Sequence, residues 1–440
     1  MKKILSGILF LSSLAVVNAQ ETVYPAPKQT GVTVITNATV HVGNGQVLNN
    51  ASIEMRDGKI TQVGTSITPT AGATIVNAQG KHVYPGLILP ISNLGLVEVS
   101  AVRATSDVQE IGDLNPNVRS IVAYNSDSRV INTLRSNGIL LANVVPQGGL
   151  LSGSSSVVQL DAWNWEDAAY KSDAGIHLRI PSLLARPRFG GFGGGGGGGP
   201  QQPPADPMKE ALERIDGIKS FFMEAKAYHS EASHPQTNLK FEAVKGLFDK
   251  KQKLYVHANT VKQMLIALEF VKEFGFDVVI VGADDAWQIA DLLKQNNVSV
   301  ILNQPHALPT LEDDDVDQPY KNAALLQKAG VLFAISDEDG QTRGRNLPFN
   351  AGTAATYGLG KEEALQAITL NAAKVLGIGD KTGSIEVGKD ANVIISEGDI
   401  LDMRTSIVTD AFIQGRKIDL TDKHKLLYER YKFKYEKKPF

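Results

Sequence analysis

The chain has 440 residues, of which 42% are hydrophobic and 21% charged, and 44 Lys and Arg against 47 Asp and Glu give a net charge of −3. This is the composition of a globular protein long enough for two domains, which excludes a fibrous or disordered chain. It also lacks the basic field that holds nucleic acid. Because the sequence has no cysteine, disulfides, thiolate catalysis and cysteine-bound metals are excluded.

The first predicted element is a secretory signal peptide over residues 1–19. Two lysines precede an apolar run from Ile4 to Val17, and the run ends in the small-residue cleavage pattern Val17-Asn18-Ala19. The run holds about 14 apolar residues, whereas a membrane span needs about 20. Cleavage after Ala19 is therefore expected, and it predicts a periplasmic or secreted protein with no membrane span in its mature form.

Short β-type segments follow, and similar segments return near the end of the chain. The Asp57-Gly58 pair between two alternating runs is typical of a hairpin turn. The predicted strands cover residues 32–41, 51–55, 59–63, 73–76, 383–395 and 408–413. Since the late strands need a sheet to join, residues 30–85 and 377–418 are predicted to form one small composite β domain of the β-sandwich type.

Between these segments, residues 86–376 are predicted to form a (β/α)8 barrel of the TIM type, an α/β fold. Helical periods alternate with short β-branched runs, notably between residues 253 and 336. The glycine-rich segment 189–206 is predicted to be a disordered loop because glycine buries no side chain and loses the most backbone entropy. Residues 146–156 are predicted to be a loop, and residues 419–440 a C-terminal helix with one face against the body.

Motifs at both ends of the barrel resemble the amidohydrolase superfamily, in particular its imidazolonepropionase-like branch. The resemblance covers most of the mature chain and rests chiefly on Arg56-Asp57-Gly58-Lys59-Ile60, Val83-Tyr84-Pro85-Gly86-Leu87-Ile88, Asn371-Ala372-Ala373 and the segment 383–392. It implies the barrel fold and a hydrolase acting on non-peptide carbon–nitrogen bonds, in an amide or cyclic amide. In that superfamily a metal-bound hydroxide attacks the carbonyl.

The sequence departs from the metal-ligand pattern that this resemblance implies. Ile91 and Asn93 occupy the positions of the two strand-1 histidines, and Gly282 occupies that of the strand-6 histidine. Isoleucine and glycine offer no donor atom, and an asparagine carbonyl is a poor ligand for zinc-like metals. A histidine, His257, remains on strand 5. A carboxylate remains after strand 8, where the family position is either Asp337 or Glu338.

His257 and Asp337 are therefore the candidate catalytic residues, and the candidate ligands of a weak metal site are His257, Asp337, Glu338 and His306. His257 is equally well interpreted as a hydrogen-bonded histidine near the core, and the carboxylates as a solvated loop. A catalytic zinc normally has three protein ligands and a water. The cofactor thus stays open between a divalent metal such as zinc and no cofactor.

Two functions remain open at this point. The resemblance implies hydrolysis of carbon–nitrogen bonds, whereas the lost ligands favour a catalytically inactive pseudo-amidohydrolase that serves as a binding or partner subunit. Fold alone does not choose between them. The expected partners are a small-molecule substrate or ligand and either a second copy of the chain or a related hydrolase, with no nucleic acid.

Overall fold

The computed structural model describes residues 23–183, 206–231, 233–309, 313–337 and 342–436. The predicted signal peptide, nearly all of the glycine-rich segment 189–206, and Glu338 lie outside the described residues. Within the described ranges, no helix is both long enough and apolar enough to cross a membrane.

The described residues form sixteen strands, numbered here in chain order: β1 (Val32–His41), β2 (Val47–Arg56), β3 (Lys59–Gly64), β4 (Thr74–Asn77), β5 (His82–Pro85), β6 (Leu87–Ser92), β7 (Ile139–Val144), β8 (Leu151–Gln159), β9 (Ala169–Arg179), β10 (Lys253–Ala258), β11 (Val278–Gly282), β12 (Ser299–Leu302), β13 (Phe333–Ile335), β14 (Val393–Ser396), β15 (Val408–Ile413) and β16 (Arg416–Lys417).

The α-helices in the same ranges are α1 (Ser120–Ala123), α2 (Arg129–Ser136), α3 (Trp165–Ala168), α4 (Pro207–Ser230), α5 (Leu239–Phe248), α6 (Val261–Phe274), α7 (Ala290–Gln295), α8 (Gln318–Ala329), α9 (Leu347–Ala354), α10 (Lys361–Ala367), α11 (Leu370–Val375) and α12 (Lys423–Glu436).

One sheet joins strands from both ends of the chain. Its order is β16-β15-β14-β5-β1-β2-β3, with β4 beside β1. The predicted turn is present between β2 and β3, where Asp57 and Gly58 have φ angles of 52° and 79°, as a type I′ hairpin turn requires. The antiparallel pairing of β5 with β14 connects the early strands to the late ones.

The second sheet is the barrel, with the order β6-β7-β8-β9-β10-β11-β12-β13. The predicted fold class, a TIM-type barrel with a smaller β-rich domain, is confirmed. One strand differs from the simple repeat, because β8 runs antiparallel to both β7 and β9. The prediction of a loop over residues 146–156 is therefore wrong for residues 151–156, which belong to β8.

The barrel interior is apolar, and α11 closes the end of the barrel at which the strands begin. Ile88, Leu141 and Val281 belong to one buried cluster with Val375 of α11. Lys171 donates to the carbonyl oxygens of residues 376 and 377 at 3.1 and 3.2 Å, which places a cation at the negative end of the helix dipole. A site is consequently left to the opposite end, where the barrel strands finish.

The C-terminal helix α12 does not pack as predicted. None of its residues is buried. Leu427, Tyr431 and Tyr435, whose helical spacing predicts one packing face, are 37%, 51% and 74% exposed. The helix covers Lys423–Glu436, within the predicted range 419–440, so the error that the structure shows concerns its packing.

A histidine pair connects the composite sheet to the barrel helices. Nδ1 of His41 lies 2.7 Å from Oε1 of Glu362 on α10, and Nε2 of His41 lies 3.0 Å from Nδ1 of His82. Burial and the neighbouring His41 lower the pKa of His82. At a given acidic pH, His82 therefore binds fewer protons in the folded chain than in the unfolded chain.

We expect this contact to make stability depend on pH. The pKa of His82 is lower in the folded than in the unfolded chain, so this residue contributes a loss of stability as the pH falls below about 6.5. The variant His82→Asn should show a smaller loss between about pH 7 and 5 in chemical denaturation. The exposed His306→Asn is the matched control. Equal pH dependence in wild type and His82→Asn would contradict the assignment.

Candidate functional site

Two buried histidines lie side by side where β9 and β10 end. Nδ1 of His177 is 3.0 Å from Nε2 of His257, and the two side chains are fully buried and 7% exposed, respectively. The ring of His177 also stacks on Tyr255, with centroids 4.8 Å apart and planes 7° apart. His257 thus lies where the sequence predicted it, and it has a partner that the sequence analysis missed.

Both imidazoles are held neutral by their surroundings. Burial lowers the pKa of His177 to about 3 and lowers the pKa of His257 well below its ordinary value, and the charge of Arg179 acts in the same direction. One ring N–H must therefore lie between the two rings. When His257 donates it, the second nitrogen of His177 carries the remaining proton. That nitrogen, Nε2, is buried and has no hydrogen-bond partner among the described residues.

Asp337 follows the last barrel strand and is 4% exposed. Its Oδ2 accepts a hydrogen bond of 3.1 Å from Nδ2 of Asn350 on α9, and its Oδ1 has no partner in the part of the chain that the structure describes. Burial raises the pKa of Asp337, against the opposing effects of Asn350 and Arg343. A buried carboxylate with one oxygen fixed and one oxygen available is suited to accepting a proton.

Comparisons with known proteins bear on the family and the fold. A profile of the amidohydrolase family matches residues 225–418. An imidazolonepropionase of Mesorhizobium japonicum is 24% identical over 373 residues, which cover 79% of this chain and 87% of that protein. An amidohydrolase structure from Thermotoga maritima MSB8 superposes with a TM-score of 0.74 at 24% identity, covering 88% of this chain and 99% of that one. The chain belongs to the amidohydrolase superfamily, in its imidazolonepropionase-like branch.

The stronger sequence matches are short. An imidazolonepropionase of Thermoplasma volcanium is 41% identical over 86 residues, which are 19% of this chain and 21% of that protein. The first four curated relatives are matched over only 19–30% of their own length. Family membership therefore does not by itself carry an activity over to this chain.

The residues of this chain do not fit the zinc-type metal site that its family implies. Ile91 is buried in the apolar cluster of the barrel interior. Gly282 has a φ of +96°, and a Cβ atom built on it would collide with Oδ1 of Asn259. The amide of Asn259 therefore fills the space in which a strand-6 histidine would begin.

The remaining candidate ligands do not converge in the described ranges. His306 is exposed, and its Nε2 lies 3.3 Å from Oγ1 of Thr353 on α9, with its ring edge-on to Tyr320 on α8. No group of three or more His, Asp or Glu side chains within the described ranges is arranged to hold a metal ion. Glu338 lies outside those ranges, so its choice against Asp337 stays open.

Proposed function

We propose that this amidohydrolase hydrolyses a non-peptide carbon–nitrogen bond, in an amide or cyclic amide, without a metal taking part in the reaction. The observation that carries the proposal is Asp337, which offers a buried, unpartnered carboxylate oxygen. Membership of the amidohydrolase superfamily supports the reaction class, and the names of the relatives support a cyclic amide as the substrate type.

The proposed chemistry needs one base and one hydrogen-bond donor. Asp337 takes a proton from water, and the resulting hydroxide forms a bond to the amide carbon. A neutral His177, with its proton on Nε2, donates a hydrogen bond to the carbonyl oxygen as negative charge develops there. The carbon–nitrogen bond then breaks, and the proton held by Asp337 passes to the leaving nitrogen. All the atoms of amide and water are thereby recovered in an acid and an amine.

The substitution Asp337→Asn tests this function. It removes the base but leaves an oxygen that can still accept from Asn350, so we expect kcat/KM toward cyclic amides to fall by about 10²–10⁴. Turnover by the wild type should survive exhaustive chelation. The control Asp315→Asn changes an exposed carboxylate and should be fully active. Turnover that disappears with chelation, or that persists in Asp337→Asn, would contradict the proposal.

The second candidate function is that of an inactive binding or partner subunit. It is favoured by the residues at the metal-ligand positions, where Ile91 and Gly282 have no donor atom and Asn93 is a poor ligand. This candidate predicts no turnover of any amide, together with saturable binding of a small molecule or association with a second copy or a related hydrolase. Export after cleavage at Ala19 stays a prediction from residues 1–19.

A further inference from the structure

The C-terminal helix α12 carries a face of tyrosines that the described residues leave uncovered. Tyr428, Tyr431 and Tyr435 follow one another at three and four residues, so they share one face of the helix. The rings of Tyr431 and Tyr435 stack with centroids 6.4 Å apart, and all three side chains are more than half exposed. Apolar surface gathered in one exposed patch indicates an interaction site.

Basic side chains border this tyrosine face. Nζ of Lys432 lies 6.0 Å from the ring centroid of Tyr428, and Nζ of Lys434 lies 5.1 Å from that of Tyr435. Between residues 423 and 436 the sequence has five Lys and Arg against two Glu. The helix therefore presents aromatic rings together with positive charge, and it suits a partner surface that combines aromatic rings with negative charge.

Residues 163–167 form an exposed surface of that kind on the same chain. Trp163 and Trp165, two of the three tryptophans in the sequence, are 64% and 37% exposed, and the ring of Trp163 lies against that of Tyr24, with centroids 6.1 Å apart. Glu166 and Asp167 follow directly and are exposed. We call residues 163–167 the acidic segment.

Hydrogen bonds hold the acidic segment in place. Oδ1 of Asn164 accepts from the backbone N–H of Asp167 at 2.8 Å. The carbonyl oxygen of Trp163 accepts from Oγ of Ser126 at 3.3 Å, and that of Asp167 accepts from Nε2 of Gln159 at 2.9 Å. The tryptophans are thus carried on a fixed backbone, which reduces the entropy that a partner must overcome on binding.

Both surfaces are attached to helix α2. Helix α12 contacts α2, and its first turn is capped by Asp422, whose Oδ1 accepts from the backbone N–H of His424 at 2.6 Å. Arg135 of α2 binds Asp161, two residues before Trp163. The two surfaces therefore lie near each other on the body, yet neither covers the other, because every residue of α12 and Trp163 are exposed.

A second copy of the chain supplies what each surface lacks. Tyrosine, tryptophan and arginine are enriched in protein interfaces, and opposite charges on the two surfaces favour their encounter. A two-fold axis lets the helix of each copy meet the acidic segment of the other, so the same contact is made twice. A lipid surface fits less well, since interfacial helices insert a strongly apolar face, whereas this face consists mainly of tyrosines.

We propose that two copies of this chain associate by reciprocal docking, with helix α12 of each copy on the acidic segment of the other. The inference goes beyond the proposed hydrolysis, because neither surface includes His177, His257 or Asp337. It holds whether or not the protein turns over an amide, and a test of association does not depend on activity.

The first test is sedimentation velocity of the purified protein at increasing concentrations. We expect an equilibrium between monomer and dimer, and added salt should shift it toward the monomer because the contact depends on opposite charges. Vesicles of phosphatidylglycerol should not bind the protein.

Charge reversals assign the dimer to these two surfaces. The helix variant is Lys432→Glu with Lys434→Glu, and the segment variant is Glu166→Lys with Asp167→Lys. In each variant alone, like charges face each other in both contacts, so the dissociation constant of the dimer should rise by about tenfold or more. Mixing the two variants should restore the dimer, because each helix then meets a segment of opposite charge.

The matched control is Lys226→Glu with Lys262→Glu. It makes the same change of net charge as the helix variant, at exposed positions of α4 and α6, and the dissociation constant should be unchanged. All of these variants should keep the thermal midpoint of the wild type, because every substituted side chain is exposed.

Four results would overturn the inference. They are a wild type that stays monomeric at every concentration, a dimer that either reversal variant retains at full strength, a mixture of the two variants that forms no dimer, and a monomeric wild type that binds the vesicles through its helix, so that the helix variant no longer binds them. The last result would assign α12 to a lipid surface instead of a second copy.

Discussion

Replacing Asp161 with asparagine is expected to lower the free energy of unfolding by about 3–5 kcal/mol. The carboxylate is 1% exposed and bonds to both ends of the fold. Its Oδ1 accepts from Nη1 of Arg135 at 2.5 Å, and its Oδ2 accepts from Nη1 of Arg416 at 2.8 Å and from the backbone N–H of Ala26 at 2.9 Å. Asparagine keeps the shape of the side chain but leaves two guanidinium groups without their counter-charge.

The expected loss of unfolding free energy in Asp161→Asn is large because both arginines are shielded from water. The side chains of Arg135 and Arg416 are 4% and 12% exposed, so solvent cannot replace the lost carboxylate. Chemical denaturation checks the expectation. The matched control is Asp173→Asn, which breaks an ion pair with Arg119 whose side chains are 31% and 46% exposed, and it should cost no more than about 1 kcal/mol. Equal losses in the two variants would contradict the argument.

Much of the fold could be predicted because its signals are local. The Asp57-Gly58 turn, and the alternation of apolar runs with helical periods after residue 253, depend on neighbouring residues only. The strand β8 could not be predicted in full. Residues 151–156 are mostly serine and glycine, which are typical of loops, and they form a strand because β9 pairs along residues 151–155 and β7 pairs from Ser156 onward.

The residues of the candidate site likewise could be predicted only where their sequence signal is local. His257 could be placed because it lies at the end of an apolar strand, predicted over residues 253–257, that matches a family motif. His177 could not, since its strand β9 also carries Lys171, Asp173 and Arg179 and so lacks an apolar pattern. What brings His177 to His257 is the parallel pairing of β9 with β10, a long-range contact that leaves no trace in the local sequence.

The sequence alone also could not show what occupies the space of the strand-6 histidine. The sequence shows only that Gly282 stands in the place of a histidine. Its φ of +96° and the position of Asn259 decide what a side chain there would meet. Placing histidines at positions 91, 93 and 282, the ligand positions that the family resemblance implies, is therefore expected to fail at position 282 for steric reasons rather than for lack of ligand chemistry.

Gly282→Ala measures that steric effect without introducing a ligand. A Cβ atom in this left-handed conformation costs about 1–3 kcal/mol in backbone strain, and the collision with Oδ1 of Asn259 adds to it. Gly388→Ala is the matched control, because Gly388 has a φ of +91° and nothing within 4 Å of an added Cβ. We expect chemical denaturation to show a clearly larger loss for Gly282→Ala than for Gly388→Ala.

A second change identifies the cause of the larger loss. Adding Asn259→Gly to Gly282→Ala removes the side chain that the new Cβ would meet, so the Gly282→Ala step should then cost about as much as Gly388→Ala does, a double-mutant coupling of more than about 0.5 kcal/mol. Asn259→Gly alone gives the baseline for that step. If Gly282→Ala costs the same with and without Asn259, the amide does not fill the space of the lost histidine, and the histidine variants at positions 91, 93 and 282 should then bind zinc in metal analysis.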